Sequence, residues 1–219
     1  MKKLYLFGAA LAALSAAPSL AATQVYFSNV EGLAGNQAYT GTLGLNFDVN
    51  SSIKIRSLGV FDDSSNGLQS SLAVTIYDRD TQTALFAPLV FNQGTANTGG
   101  EYIFKNITTL LLGPGRYQLA AWNYGAAEMN YNNSGPGGPI AFNNLGGAIT
   151  AVGTAYTGTS GTFADIPDNG LTRYGAGSFM ASAVPEPATW AMMICGFGMV
   201  GGSMRSARRR KQKLSVTYA

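Results

Sequence analysis

The chain has 219 residues, no histidine, one cysteine and a formal net charge of +3. The absence of histidine excludes catalytic triads and metal sites that depend on an imidazole. Eight of the 14 basic residues lie at the two chain ends, so residues 22–183 keep six basic and ten acidic side chains, a net charge of −4. We therefore expect no phosphate-binding surface and no nucleic-acid partner.

The N-terminus has the pattern of a secretory signal. Lys2 and Lys3 precede an apolar run over residues 4–14, and Ser19-Leu20-Ala21 places small residues where signal peptidase cuts. The apolar run is too short for a membrane anchor. Residues 1–21 are predicted to be a signal peptide, which makes signal peptidase a partner.

Residues 22–183 have the pattern of one all-β domain. Apolar side chains alternate over residues 43–49 and 72–76, and turn residues separate such runs. A change of parity near Arg56 and Ser57 predicts a β-bulge, and Pro88 predicts an edge or a bend. Further strands are predicted over residues 24–30, 53–60, 85–91, 102–112, 116–124, 150–156 and 175–182, and a loop over 125–144.

The predicted fold is an antiparallel, jelly-roll-like β-sandwich. It must be stable without disulfides, because the only cysteine, Cys195, lies outside residues 22–183. Stretches such as Leu58-Gly59-Val60-Phe61 and Arg173-Tyr174-Gly175 resemble β-sandwich domains of unknown function in exported bacterial proteins. That resemblance supplies no catalytic residues.

One turn resembles the first half of a calcium-binding loop. Asp62, Ser64 and Asn66 place oxygen atoms at loop positions 1, 3 and 5, and Gly67 follows at position 6. The twelfth position is Ala73, so the bidentate glutamate is missing. A hairpin turn explains the same residues, and calcium is the one cofactor that the sequence leaves open.

Aromatic residues suggest a second kind of site. Trp122, Tyr124, Tyr131 and Tyr156 could stack on sugar rings while nearby asparagines bond the hydroxyls, with extracellular polysaccharide as the partner. The alternative is that Trp122 is buried in the core.

Two pairs of carboxylates could in principle serve a glycosidase: Asp165 with Asp168, and Glu101 with Glu128. Nothing in their spacing demands that role, and carboxylates in surface turns explain them equally. No enzymatic activity is predicted.

The C-terminus has the pattern of a membrane segment. Residues 188–204 carry no charge and, as a helix, would be about 26 Å long, close to the hydrocarbon core of about 30 Å. Pro187 suits the first helical position. A buried helix of a soluble protein is the alternative, but it would show a polar face. The basic residues after the segment predict a cytoplasmic tail over 205–213 and an external domain: Arg205, Arg208, Arg209, Arg210 and Lys211.

The sequence Val184-Pro185-Glu186-Pro187, followed by a transmembrane helix and an arginine cluster, resembles a PEP-CTERM sorting signal over residues 184–211. The resemblance implies recognition by an exosortase, a membrane-embedded cysteine protease of Gram-negative bacteria, and cleavage near the Pro-Glu-Pro. A stop-transfer anchor with a chance Pro-Glu-Pro is the alternative.

These patterns together predict a protein that crosses the inner membrane, is anchored with its domain in the periplasm, and then reaches the cell surface or the medium. The first hypothesis for its role is a structural or adhesive component of the surface or of a biofilm matrix, which the sorting signal implies by association. A carbohydrate-binding module is the alternative, and a glycoside-active enzyme comes third.

Overall fold

The computed structural model describes residues 23–28, 32–133, 141–168, 170–171, 173–184 and 187–212. The predicted signal peptide therefore lies outside the described residues, as do Pro185 and Glu186. Two short 3₁₀ turns, Asp63–Ser65 and Leu145–Gly147, are the helical elements described before residue 187. The described part of the domain is otherwise made of strands and loops, in agreement with the predicted all-β class.

The domain consists of antiparallel strands, as predicted. The strands are β1 (Gln24–Val25), β2 (Phe27–Ser28), β3 (Thr42–Val49), β4 (Ile53–Phe61), β5 (Leu72–Asp78), β6 (Leu89–Phe91), β7 (Tyr102–Leu112), β8 (Gly115–Trp122), β9 (Ala141–Phe142), β10 (Ile149–Thr157), β11 (Ile166–Asp168) and β12 (Gly177–Ala183). One sheet has the order β1-β12-β4-β7, a second has the order β11-β10-β3-β8-β5-β6, and β2 pairs with β9.

The four-stranded and six-stranded sheets face each other across aromatic side chains. Phe179 on β12 lies 5.3 Å, between ring centroids, from Phe47 on β3 in the other sheet. Tyr26, between β1 and β2, stacks on Phe179 at 4.3 Å and lies 5.4 Å from Phe47. All three are at most 1% exposed. Face-to-face packing of two sheets is the arrangement of a β-sandwich.

The predicted β-bulge is confirmed. In the pairing of β4 with β12, Ile55 lies opposite Ala181 and Ser57 lies opposite Met180, so that Arg56 is an extra residue on β4. The extra residue rotates the strand, so that Ile55 before the shift and Leu58 and Val60 after it are all fully buried. Arg56 at the bulge is exposed.

Strand boundaries depart from the sequence prediction in several places. The strand predicted over 24–30 is divided into β1, which pairs with β12, and β2, which pairs with β9. The strand predicted over 85–91 is only β6, and it is an edge strand, as Pro88 indicated. The predicted loop 125–144 contains the short strand β9. Strand β11 was not predicted, because its sequence, Ile-Pro-Asp, is too short to show alternation.

A chain segment covers the outer face of the six-stranded sheet. Gln118 on β8 is fully buried there, and its Nε2 donates to the Ala164 carbonyl at 2.9 Å while its Oε1 accepts from the Ala164 N–H at 2.9 Å. Tyr77 donates to the Gly161 carbonyl at 2.7 Å. Strand β8 is therefore buried on both faces towards its C-terminal end, from Gln118 to Trp122.

A tyrosine after β8 connects the two sheets. Tyr124 is fully buried; its hydroxyl donates to the Ala176 carbonyl at 2.5 Å and accepts from the Phe61 N–H at 2.9 Å. Phe61 ends β4 and Ala176 precedes β12, the neighbouring strand of the four-stranded sheet. Burial holds the pKa of Tyr124 well above its usual value, so the hydroxyl stays neutral and keeps its proton to donate.

Replacing Tyr124 with phenylalanine should lower the free energy of unfolding by about 1–3 kcal/mol, because it leaves buried backbone groups without this partner. Urea unfolding followed by circular dichroism measures the change. Tyr117→Phe is the matched control: its hydroxyl bonds the Gly113 carbonyl at a half-buried position, and its removal should cost less. Equal losses in the two variants would contradict the role given to Tyr124.

Candidate functional site

The domain ends directly before the Pro-Glu-Pro segment. Strand β12 ends at Ala183, and the Val184 N–H donates to the Ser52 carbonyl at 2.8 Å. A helix, α1, begins at Pro187 and ends at Gln212. The predicted cleavage residues thus lie between the last backbone hydrogen bond described for the domain and the first turn of α1. Pro185 and Glu186 themselves lie outside the described residues.

Helix α1 exposes apolar side chains. Ile194 is 71% exposed and Met199 is 72% exposed, and none of the side chains described in α1, those of residues 193–205, belongs to the buried cluster of the domain. Exposed apolar surface of this kind marks a site that contacts a membrane or another protein. The other exposed large apolar residues among residues 193–205 are Phe197, Val200 and Met204.

Residues 183–211 match the sequence model of the PEP-CTERM protein-sorting motif. The chain carries this sorting motif. The match includes Val184 to Pro187, the apolar run and the arginine cluster, so the resemblance drawn from those residues is confirmed. The PEP-CTERM motif implies an exported protein processed by an exosortase. No curated protein matches the chain.

The helix of the PEP-CTERM motif differs from the predicted segment in its length. The sequence predicts a transmembrane helix over 188–204 and a separate basic tail, but α1 continues through Arg205, Arg208, Arg209, Arg210 and Lys211 to Gln212. Among the residues that the structure describes, no helix is both long and apolar enough to cross a membrane.

The turn that resembles a calcium loop is closed by its own hydrogen bonds. The carboxylate of Asp62 is fully buried and accepts from the Gly67 N–H at 2.9 Å and from Asn97 Nδ2 at 2.7 Å. Ser64 donates to the Asp63 carboxylate, and Asn66 accepts from Gln69. In the described part of the chain, no cluster of three acidic, cysteine or histidine side chains could hold a metal.

Calcium should therefore not stabilise the domain. Differential scanning calorimetry with calcium and with a chelator is expected to give the same unfolding midpoint. Asp62→Asn should lower the midpoint equally under both conditions, because it replaces an acceptor oxygen by a donor beside Gly67 and Asn97. A midpoint that rises with calcium in the wild type, and not in this variant, would restore the calcium site.

The aromatic residues predicted to bind glycans are mostly buried. Tyr124 is fully buried, and Trp122 is 6% exposed because the backbone at Gly161 lies against its indole ring. Neither ring is available to stack on a sugar. Tyr131 is half-buried and packs against the core, and half-buried Tyr156 lies on β10, between β11 and β3.

The four carboxylates considered for a glycosidase lie in different environments. Asp165 is exposed and Glu101 is half-buried. Asp168 forms a salt bridge with Arg173 at 3.0 Å. Glu128 is fully buried, and both of its oxygens accept backbone hydrogen bonds.

Glu128 joins two loops at one end of the domain. Its carboxylate accepts from the Asp63 N–H at 2.7 Å and from the Gln69 N–H at 2.6 Å. The pKa of Glu128 is raised to about 7, chiefly by burial; the two backbone hydrogen bonds oppose the rise, and the nearby Asp62 and Asp63 carboxylates add to it. Glu128 lines neither cavity described below, so we interpret it as a structural connection between loops.

The stability of the domain should fall as the pH rises from about 4.5 to about 7. The folded state binds a proton at Glu128 up to a higher pH than the unfolded chain, whose carboxyl titrates near its usual 4.5, so the unfolded state is favoured as the proton is lost. The loss amounts to at most about 3 kcal/mol and is complete above pH 7.

Urea unfolding at pH 5 and pH 8 measures this difference. Glu128→Gln should remove most of it. Asp165→Asn, which neutralises an exposed carboxylate and leaves Glu128 in place, should preserve it. A pH dependence that survives Glu128→Gln would assign the titration to another group.

A polar cavity lies at the edge of the six-stranded sheet. Its volume is about 340 Å³, and we call it the tyrosine pocket. The rings of Tyr39 and Tyr156 meet edge to face at 6.2 Å between centroids. Asp168 accepts from Arg173 Nη1 at 3.0 Å and from the hydroxyl of Tyr174. The lining residues are Gln37, Tyr39, Leu43, Tyr156, Pro167, Asp168, Arg173 and Tyr174.

Sequence reasoning identified only Tyr156 and Asp168 of this pocket, and it gave them separate roles. The sequence pattern that could have pointed to the other tyrosines of the pocket is a tyrosine one or two residues before a turn glycine, as in Tyr39-Thr40-Gly41 and Arg173-Tyr174-Gly175. A wider groove of about 730 Å³ lies beside β2 and β9; the residues described in its lining include one aromatic ring, that of Phe142, and none of them is charged.

Proposed function

We propose that this chain is the precursor of a structural or adhesive protein of the bacterial cell surface or extracellular matrix, cut by an exosortase near its Pro-Glu-Pro. The observation that carries the proposal is the PEP-CTERM motif at residues 183–211, joined directly to a β domain. The connection between the domain and the motif is short: Val184 is still hydrogen-bonded to Ser52, and the predicted cleavage residues follow directly. This arrangement supports cleavage next to the folded domain.

The route of export follows from the two chain ends. Signal peptidase removes residues 1–21, and the domain enters the periplasm of a Gram-negative cell. The exposed apolar side chains of α1 then hold the precursor at the membrane, with the arginine cluster on the cytoplasmic side. Cleavage by exosortase releases the domain to the cell surface, to a biofilm matrix or to the medium.

The form of the domain supports a structural or adhesive role. Strand β7, with 11 residues, is an edge of the four-stranded sheet and exposes Leu111 at 61%, and edge strand β6 exposes Val90 at 50%. Free strand edges with apolar side chains are surfaces on which another chain can add. No catalytic role is included in the proposal, because Asp168 is paired with Arg173 and Glu128 is held by backbone donors.

Processing can be tested by mass spectrometry of the protein recovered from its native host. We expect the secreted form to begin near residue 22 and to end near residues 185–187. In a host strain without exosortase, the C-terminus should remain intact and the chain should stay with the membrane fraction.

Glu186→Ala should reduce processing, whereas Asp165→Asn, which removes an exposed carboxylate of the domain, should not. An intact C-terminus in the presence of exosortase would instead favour a permanent stop-transfer anchor.

A further inference from the structure

We propose that the tyrosine pocket binds one uncharged saccharide unit, with Tyr39 and Tyr156 packing against the apolar face of the sugar ring and Gln37, Asp168 and Arg173 hydrogen-bonding its hydroxyls. The inference concerns the ligand of the domain. It is independent of exosortase processing, which acts at the other end of β12.

The lining of the pocket combines the two kinds of group that a sugar requires. A sugar ring has an apolar C–H face and a rim of hydroxyl groups. The half-buried rings of Tyr39 and Tyr156 offer a rigid apolar surface at low cost in conformational entropy. Gln37, Asp168 and Arg173 have planar ends that can engage two neighbouring hydroxyls at once.

The size of the pocket favours a single unit. A volume of about 340 Å³ lies at the lower end of the range of about 300–1,000 Å³ that is usual for small-molecule sites. Leu43 at the pocket is buried, and exposed Pro167 on edge strand β11 forms part of the rim. A longer polysaccharide would therefore place one residue in the pocket and continue past the sheet edge.

The polar groups are held in place before any ligand arrives. Asp168 pairs in register with Thr154 of β10 and is fixed by Arg173 and by the hydroxyl of Tyr174. Gln37 Oε1 accepts from Asn130 Nδ2 at 3.0 Å, and the backbones of these two residues are also paired. Groups ordered in advance lose little entropy on binding, which raises affinity.

The charge balance of the pocket argues for an uncharged ligand. Among the described residues that line the pocket, Arg173 is the cationic one, and its charge is compensated by Asp168 at 3.0 Å. A phosphate or uronate group would have to enter beside the Asp168 carboxylate, and the like charges would repel each other. Hydroxyl groups can donate to Asp168 and accept from Arg173 without that penalty.

The experiment is titration of the full chain, in a detergent without a sugar headgroup, with the methyl glycosides of glucose, galactose, mannose and N-acetylglucosamine and with the matching uronates. Isothermal titration calorimetry and ligand-observed NMR provide two independent measurements. We expect at least one neutral glycoside to bind with a Kd of about 1 mM, the affinity usual for a ligand of this size.

Variants locate the binding. Tyr156→Ala and Asp168→Asn should each weaken binding at least tenfold, and Tyr156→Phe should retain most of it, because the ring remains. Tyr117→Ala is the matched control: it also removes a half-buried tyrosine packed against the core, but at the opposite end of β8, and it should bind like the wild type. Circular dichroism and the unfolding midpoint establish that each variant is folded.

Three results would overturn the proposal. They are the absence of binding by every neutral glycoside, binding that survives Tyr156→Ala in a folded protein, and a uronate that binds at least tenfold more tightly than its neutral counterpart. None of these results affects the processing of the C-terminus, so a failure here is distinct from a failure of the proposed function.

Discussion

The contact between the two sheets is the interaction on which the rest of this structure depends. The domain has no cysteine, so packing of apolar side chains must supply the cohesion that disulfides give many exported proteins. Tyr26, Phe47 and Phe179 bring together the segment between β1 and β2, one sheet and the other sheet in a single cluster. The bulge in β4 adds to this core by rotating Ile55, Leu58 and Val60 inwards.

The second level of organisation lies outside the sandwich. The segment over residues 158–165 folds back across the outer face of the six-stranded sheet and is fixed there by Gln118. That covering buries Trp122, the aromatic residue that looked most suitable for binding, and the same chain then returns as β11 to build the rim of the tyrosine pocket. The same stretch of chain therefore covers the outer face of the six-stranded sheet and helps to form the tyrosine pocket.

The sequence could predict features that depend on neighbouring residues. The PEP-CTERM motif is contiguous from Val184 to the arginine cluster, and the alternation in β3 and the parity change in β4 are local patterns. The tyrosine pocket could not be predicted, because Tyr39, Tyr156 and Tyr174 meet only through the folding of distant segments. Burial of Trp122 likewise follows from a covering segment about 40 residues away in the chain, which strand periodicity cannot reveal.

The position of β12 has a mechanical consequence. This strand lies between β1 and β4, and it is the strand to which the C-terminal segment is attached through Val184. In antiparallel pairs the hydrogen bonds run perpendicular to the strands, so a force applied at the C-terminus along the axis of β12 stretches the bonds to its neighbours together rather than one after another. While the domain is still tethered, it can therefore resist pulling by loading these hydrogen bonds in shear, and the bond from Val184 to Ser52 shares that load.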